Sequence, residues 1–122
     1  MSFNNYLWNQ LDAFINNLPH PVTLSHTNVE GDRKEVKLNH RTRAISYKMR
    51  KTKYSLPFSD FYTALTMFHG QSVDSDKLKG CANSFRQKGC NCATFFLLLY
   101  AMGIVDDIIK TGVNNRQLEV QL

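Results

Sequence analysis

Four residues able to ligate a soft metal or supply a thiolate fall within 24 positions: His69, Cys81, Cys90 and Cys92. A structural zinc site ordinarily takes two pairs of ligands, each pair two to four residues apart. Here eleven, eight and one residues separate successive members, so only Cys90-Asn91-Cys92 has the closeness of a ligand pair. Free cysteines are otherwise common as small core residues, and His69 falls at the end of a predicted helix. The expectation is no cofactor, with zinc on these four residues as the competing alternative. The same residues admit a second chemistry. Cys90 and Cys92 flank the predicted start of an apolar helix, near Lys88, and a helix N-terminus favours the thiolate. With His69 as base this would make a cysteine nucleophile, although nothing in the spacing requires the two to meet. The chain contains no glycine-rich phosphate loop, serine elbow or His-Glu-x-x-His pattern.

Charge carries more weight. Fifteen Lys and Arg against ten Asp and Glu give a net charge of +5. Nine of the basic residues lie between Arg33 and Lys53, where Glu35 is the only acid, so that segment carries +8 and the remainder −3. A nucleic-acid duplex presents one negative charge about every 1.7 Å of its axis, and basic side chains that neutralise phosphates release condensed counterions. Arg41, Arg43, Lys48, Arg50, Lys51 and Lys53 are therefore the candidate nucleic-acid contacts, with Arg41 or Arg43 placed to read a base edge. Tyr54, and Tyr47 if exposed, would stack on unpaired bases. Two other readings compete. The lysines would guard a sheet edge against aggregation, or the basic face would dock on an acidic protein partner in a regulatory module. A membrane surface asks for a basic amphipathic helix, and the amphipathic helix at Ser2–Leu18 has no basic residue.

The acids do not assemble a nuclease motif. Asp74 and Asp76 fall at a predicted helix start, where the dipole favours them. Asp106 and Asp107 follow a helix end, an odder place for two carboxylates. The expected function is a small nucleic-acid-binding module, for DNA in the first instance, without enzymatic activity.

These side chains must be carried by the following elements. Phe3, Leu7, Leu11, Phe14, Ile15 and Leu18 recur at helical spacing after Ser2, a natural N-cap, and Pro19-His20-Pro21 ends the run. Trp8 stands beside that stripe as a core or homodimer contact. Val22–Thr27, Lys34–Leu38 and Ala44–Met49 alternate apolar with polar residues and predict a three-stranded antiparallel meander, with turns at Glu30–Asp32 and Asn39–Thr42. In the last strand Ile45, Tyr47 and Met49 point inward and Lys48 and Arg50 outward. Leu56–Ser59 predicts the opening of a second helix capped by Ser59, with Phe61, Tyr62, Leu65 and Phe68 buried and Gly70 closing it. A short helix follows from Asp74 or Ser75 to about Gly80, then a loop over Ala82–Gly89. Asn91 caps a helix to about Met102 that is apolar on every side and belongs at the centre, with Gly103 at C′. Ile104–Lys110 adds at most one turn, and Gln117–Leu122 alternates as a terminal strand.

At 122 residues, 43% hydrophobic and 20% charged, the chain has the size and composition of one globular domain. The predicted class is α+β, a small antiparallel sheet of three to four strands on a layer of four helices, with element content related to winged-helix domains. The longest apolar run, Cys92–Val105, has 14 residues, short of the roughly 20 a membrane span needs. No basic segment or small-residue cleavage pattern marks the start as a signal peptide. Three cysteines cannot all pair within one chain, so reduced thiols in a cytoplasm are expected.

Overall fold

The computed structural model describes residues 2–112 and 117–122, and it is α+β: five helices and two small antiparallel sheets. Helix α1 (Phe3–Asn16) opens on Ser2, whose hydroxyl accepts the Asn5 backbone N–H, and buries Leu7, Trp8, Leu11 and Ile15. The expected strand at Val22–Thr27 is reduced to a single bridge. Leu24 exchanges backbone hydrogen bonds of 2.8 and 2.9 Å with Arg33, and Val36 donates to the Val22 carbonyl. Pro21 has no N–H to give, and the chain already turns at His26, whose carbonyl accepts from Val29.

The meander is displaced by one strand. It consists of β1 (Lys34–Asn39), β2 (Ala44–Met49) and β3 (Thr52–Pro57) in the order β1-β2-β3. Its third strand fills Thr52–Ser55, where no element was expected, and runs through Leu56-Pro57 into the expected helix opening, so that the helix begins at Phe58. Arg50-Lys51 alone connect β2 to β3, pairing Met49 with Thr52. Two-residue hairpins need positive φ at a central position and usually find it in Gly or Asn. Here Arg50 adopts φ 56° instead, so the turn carries no sequence signal. Glu35 (φ 51°) and Arg43 (φ 53°) are the other non-glycine residues at positive φ among the described residues, and all three belong to this sheet. Such conformations hold only where the surroundings fix them.

The pairing of the strands explains what β1–β3 bury. Leu38, Ile45 and Leu56 are cross-strand partners, as are Tyr47 and Tyr54, and they face the helices. Helix α2 (Phe58–Met67) starts directly from Pro57, its N-cap, with no side-chain cap bond; Ser59 does not cap it. It buries Phe58, Phe61, Ala64 and Leu65, while Tyr62 and Phe68 pack half-buried. Strand β4 (Ser72–Asp74) leads into α3 (Ser75–Cys81), where the Asp74 carboxylate accepts the Lys77 N–H.

The expected loop at 82–89 contains a helix, α4 (Asn83–Gln87), pinned by fully buried Phe85 and by the Ser84 N–H donating to Asp60 at 3.1 Å. Helix α5 (Cys90–Ala101) is the central rod. Phe95 to Leu99 are each at most 1% exposed, and Phe95 meets Phe61 and Phe85 edge to face at 5.3 and 5.8 Å. Gly103 takes the C′ position at φ 76°, as expected. Strands β5 (Ile109–Lys110) and β6 (Leu118–Gln121) complete a second sheet in the order β4-β6-β5. Among the described residues no helix is long and apolar enough to cross a membrane.

Candidate functional site

The register of β1–β3 sorts the basic segment into three groups. On the face turned away from the helices, Lys34, Lys48 and Lys53 are cross-strand partners, one lysine on each strand in a single row. Beside them Lys37 pairs with Ser46, and Ser46 with Ser55. Neighbouring strands lie about 4.8 Å apart, so the row spans about 10 Å. Like charges directly opposite one another repel, and the only acid among them, Glu35, meets Lys48 at 3.4 Å. Arg50 and Lys51 extend this face at the β2–β3 tip, both exposed.

Arg41 and Arg43 sit in the β1–β2 turn at the other end of the strands. A six-residue strand places that turn about 20 Å from Arg50 and Lys51. Arg41 is exposed. Arg43 is committed to α1: its Nη2 donates to the side-chain oxygens of Asn4 (2.7 Å) and Asn5 (2.9 Å), and its guanidinium lies 5.2 Å from the Trp8 ring and 5.3 Å from Phe58. Cation–π stacking of this kind binds the hairpin to the helix. Trp8 is 7% exposed and a core residue.

Arg33 is the third group. It is 2% exposed, and four of its five N–H donors go to protein acceptors: Nε to Thr94 Oγ1 (2.9 Å), Nη1 to the Glu30 and Gly31 carbonyls, Nη2 to the Cys90 carbonyl (3.0 Å). Burial lowers its pKa, yet a guanidinium remains protonated. Next to it the Tyr47 hydroxyl lies 2.5 Å from Asn91 Oδ1 and 3.3 Å from Cys90 Sγ. Its one proton goes to the nearer amide oxygen, leaving the phenol oxygen to accept from the thiol. Asn91 Nδ2 donates to the Ser55 carbonyl, and Thr94 Oγ1 to that of Cys90. Burial, then the bond to Cys90, raises the Tyr47 pKa. Asn91 thus serves inside α5 as a bridge to β3, and Gly89 is the N-cap in its place. Tyr47 is 2% exposed and offers no stacking surface.

No protein-family model, curated protein or solved structure matches the chain. What the site can do follows from its own geometry.

Above this polar cluster an open cleft of about 740 Å³ lies between the β2–β3 tip and the start of α5. Cys90 lines it; Cys92 does not. Cys92 is 2% exposed, its sulfur 3.9 Å from the Ser75 and Phe85 carbonyls, and burial pushes its thiol up to about 11. Burial, followed by the Asp60 charge, also raises the Cys81 thiol. A thiol whose folded pKa is raised stays protonated and unreactive below its unfolded value. Iodoacetamide at pH 8 is expected to label Cys90 first in the folded protein, with Cys92 unmodified until denaturant is added; peptide mapping that finds Cys92 labelled first would overturn this assignment.

His69 is exposed beyond α2, and among the described residues no hydrogen bond or ion pair joins it to Cys81, Cys90 or Cys92. No group of three or more His, Cys, Asp or Glu among the described residues could hold a metal ion. Three of the acids have structural partners: Asp74 caps α3, Asp60 holds α4, and Asp107 accepts from His26 at 2.7 Å. That bond lowers the Asp107 pKa.

Sequence parity missed Lys34. A regular strand with Val36 and Leu38 inward would turn Lys34 inward as well. The bulge at Glu35, between the pairs Lys34–Lys48 and Lys37–Ser46, adds one residue and returns Lys34 to the lysine face.

Proposed function

We propose that this protein is a nucleic-acid-binding module, for duplex DNA in the first instance, which sets the outer face of β1–β3 against the phosphate backbone. The supporting observation is the row Lys34–Lys48–Lys53, three ammonium groups held side by side with one partly compensating carboxylate. The sheet holds mutual repulsion that a polyanion relieves, and counterion release adds to the gain. Lys37, Arg50 and Lys51 widen the contact, whereas Arg43 positions the hairpin from within. Recognition of this type reads backbone charge before sequence.

A salt series on a mixed-sequence duplex tests the proposal. About five neutralised phosphates give a slope of log affinity against log salt of about −4.5. Absent or salt-independent binding to duplex and single strands would reject it. A protein partner retained from extract after nuclease treatment would instead assign the face to an acidic protein.

A further inference from the structure

The 740 Å³ cleft has no part in backbone contact by the lysine face, yet the two share residues. Lys34 and Arg50 line the cleft and also border the outer face, one at the edge strand and one at the hairpin tip. We propose that the cleft receives an unpaired nucleotide from the end of a bound duplex. This rests on the nucleic-acid reading above and adds to it a preference for single-stranded ends.

Three features fit that occupant. The volume lies in the range of small-molecule sites and accommodates one or two nucleotides. Tyr54 lines the cleft, its ring stacked on the buried Tyr47 with centroids 5.5 Å apart and planes 19° apart, so the platform is held rigid from behind. An aromatic ring so fixed is a stacking surface for any base, and Met49 and Leu118 supply apolar wall beside it. The charges are arranged for the rest of the nucleotide. Lys34 and Arg50 on the sheet side and Lys79 of α3 on the opposite side can meet phosphates. Glu30 and Asp32 also line the cleft, and carboxylates accept from exocyclic base amines such as cytosine N4. Arg33 gives four of its five N–H donors to protein acceptors and stiffens the floor of the cleft.

Lys79 decides the test, because it belongs to the cleft and not to the sheet, and it is exposed. Affinities would be measured for a blunt duplex and for the same duplex with a five-cytosine overhang, using the parent protein, Lys79→Ala, Tyr54→Leu and Tyr54→Phe. The overhang is expected to bind about tenfold tighter than the blunt duplex, as one stacked base allows. Lys79→Ala and Tyr54→Leu should remove that preference and leave blunt-duplex affinity within about twofold; Tyr54→Phe should keep it. Circular dichroism establishes that each variant is folded, and Lys79→Ala carries the result if Tyr54→Leu is not. Equal affinity of the parent protein for both duplexes overturns the cleft proposal while the lysine face stands. A preference that persists in Lys79→Ala and Tyr54→Leu also overturns it. Binding to neither duplex overturns both readings.

Discussion

Replacing Arg33 by alanine is expected to lower the folding free energy by about 3–4 kcal/mol, a large share of the roughly 5–15 kcal/mol a domain of this size has. No carboxylate pairs with Arg33 among the described residues; its charge is held by the Glu30, Gly31 and Cys90 carbonyls and the Thr94 hydroxyl. Hydrogen bonds to a charged donor contribute about 1.5–3 kcal/mol each, and acceptors left unmade in a buried site cost about 1–3 kcal/mol. These contributions do not add, and water entering through the cleft offsets part of them. The net is therefore well below their sum. Arg33→Lys should recover little, because one compact ammonium cannot reach acceptors spread around a planar fork. Urea unfolding would measure the loss, with the midpoint falling by roughly 1–2 M. A change under about 1 kcal/mol would mean that the start of α5 is not held through this side chain.

Arg33 also shows where the sequence ceases to be legible. It opens the basic segment and by type resembles its neighbours, yet it is a core residue. What separates it from Lys34 is the bridge to Leu24, a contact between residues nine apart that periodicity does not carry. Local signals are reliable where local physics decides. Ser2 caps α1, Asp74 caps α3, Gly103 ends α5, and the run from Phe95 to Leu99 lies in the centre. The helical half of the α+β class follows from these, and alternation over Ala44–Met49 and Gln117–Leu122 supplies strands β2 and β6. The two misplaced parts of the meander share one cause. Arg50 and Glu35 adopt positive φ, a conformation expected of glycine or asparagine, so neither the hairpin nor the bulge is written in residue types. Tertiary pairing imposes both.

That imposed geometry is what gives the lysine face its largest expected effect. Lys34→Gln/Lys48→Gln/Lys53→Gln should weaken duplex binding about 10²–10³-fold near 0.1 M salt and make the salt slope shallower by nearly 3, about one unit for each phosphate no longer neutralised. The same triple variant should not destabilise the protein. All three side chains are exposed or half-buried, the half-exposed Lys48–Glu35 pair contributes about 0.5 kcal/mol or less, and removing repulsion across the row offsets that loss. Arg41→Gln, about 20 Å away at the opposite turn, should change the slope by less than about 1. Arg43→Gln should act differently again, loosening the hairpin from α1 through its bonds to Asn4 and Asn5 and its stacking on Trp8. Weaker binding at unchanged stability for the lysine row, and lower stability for Arg43, would separate the residues that touch a polyanion from the one that holds them in place. A triple variant that binds as tightly as the parent, with the same salt slope, would remove the sheet face from the interface altogether.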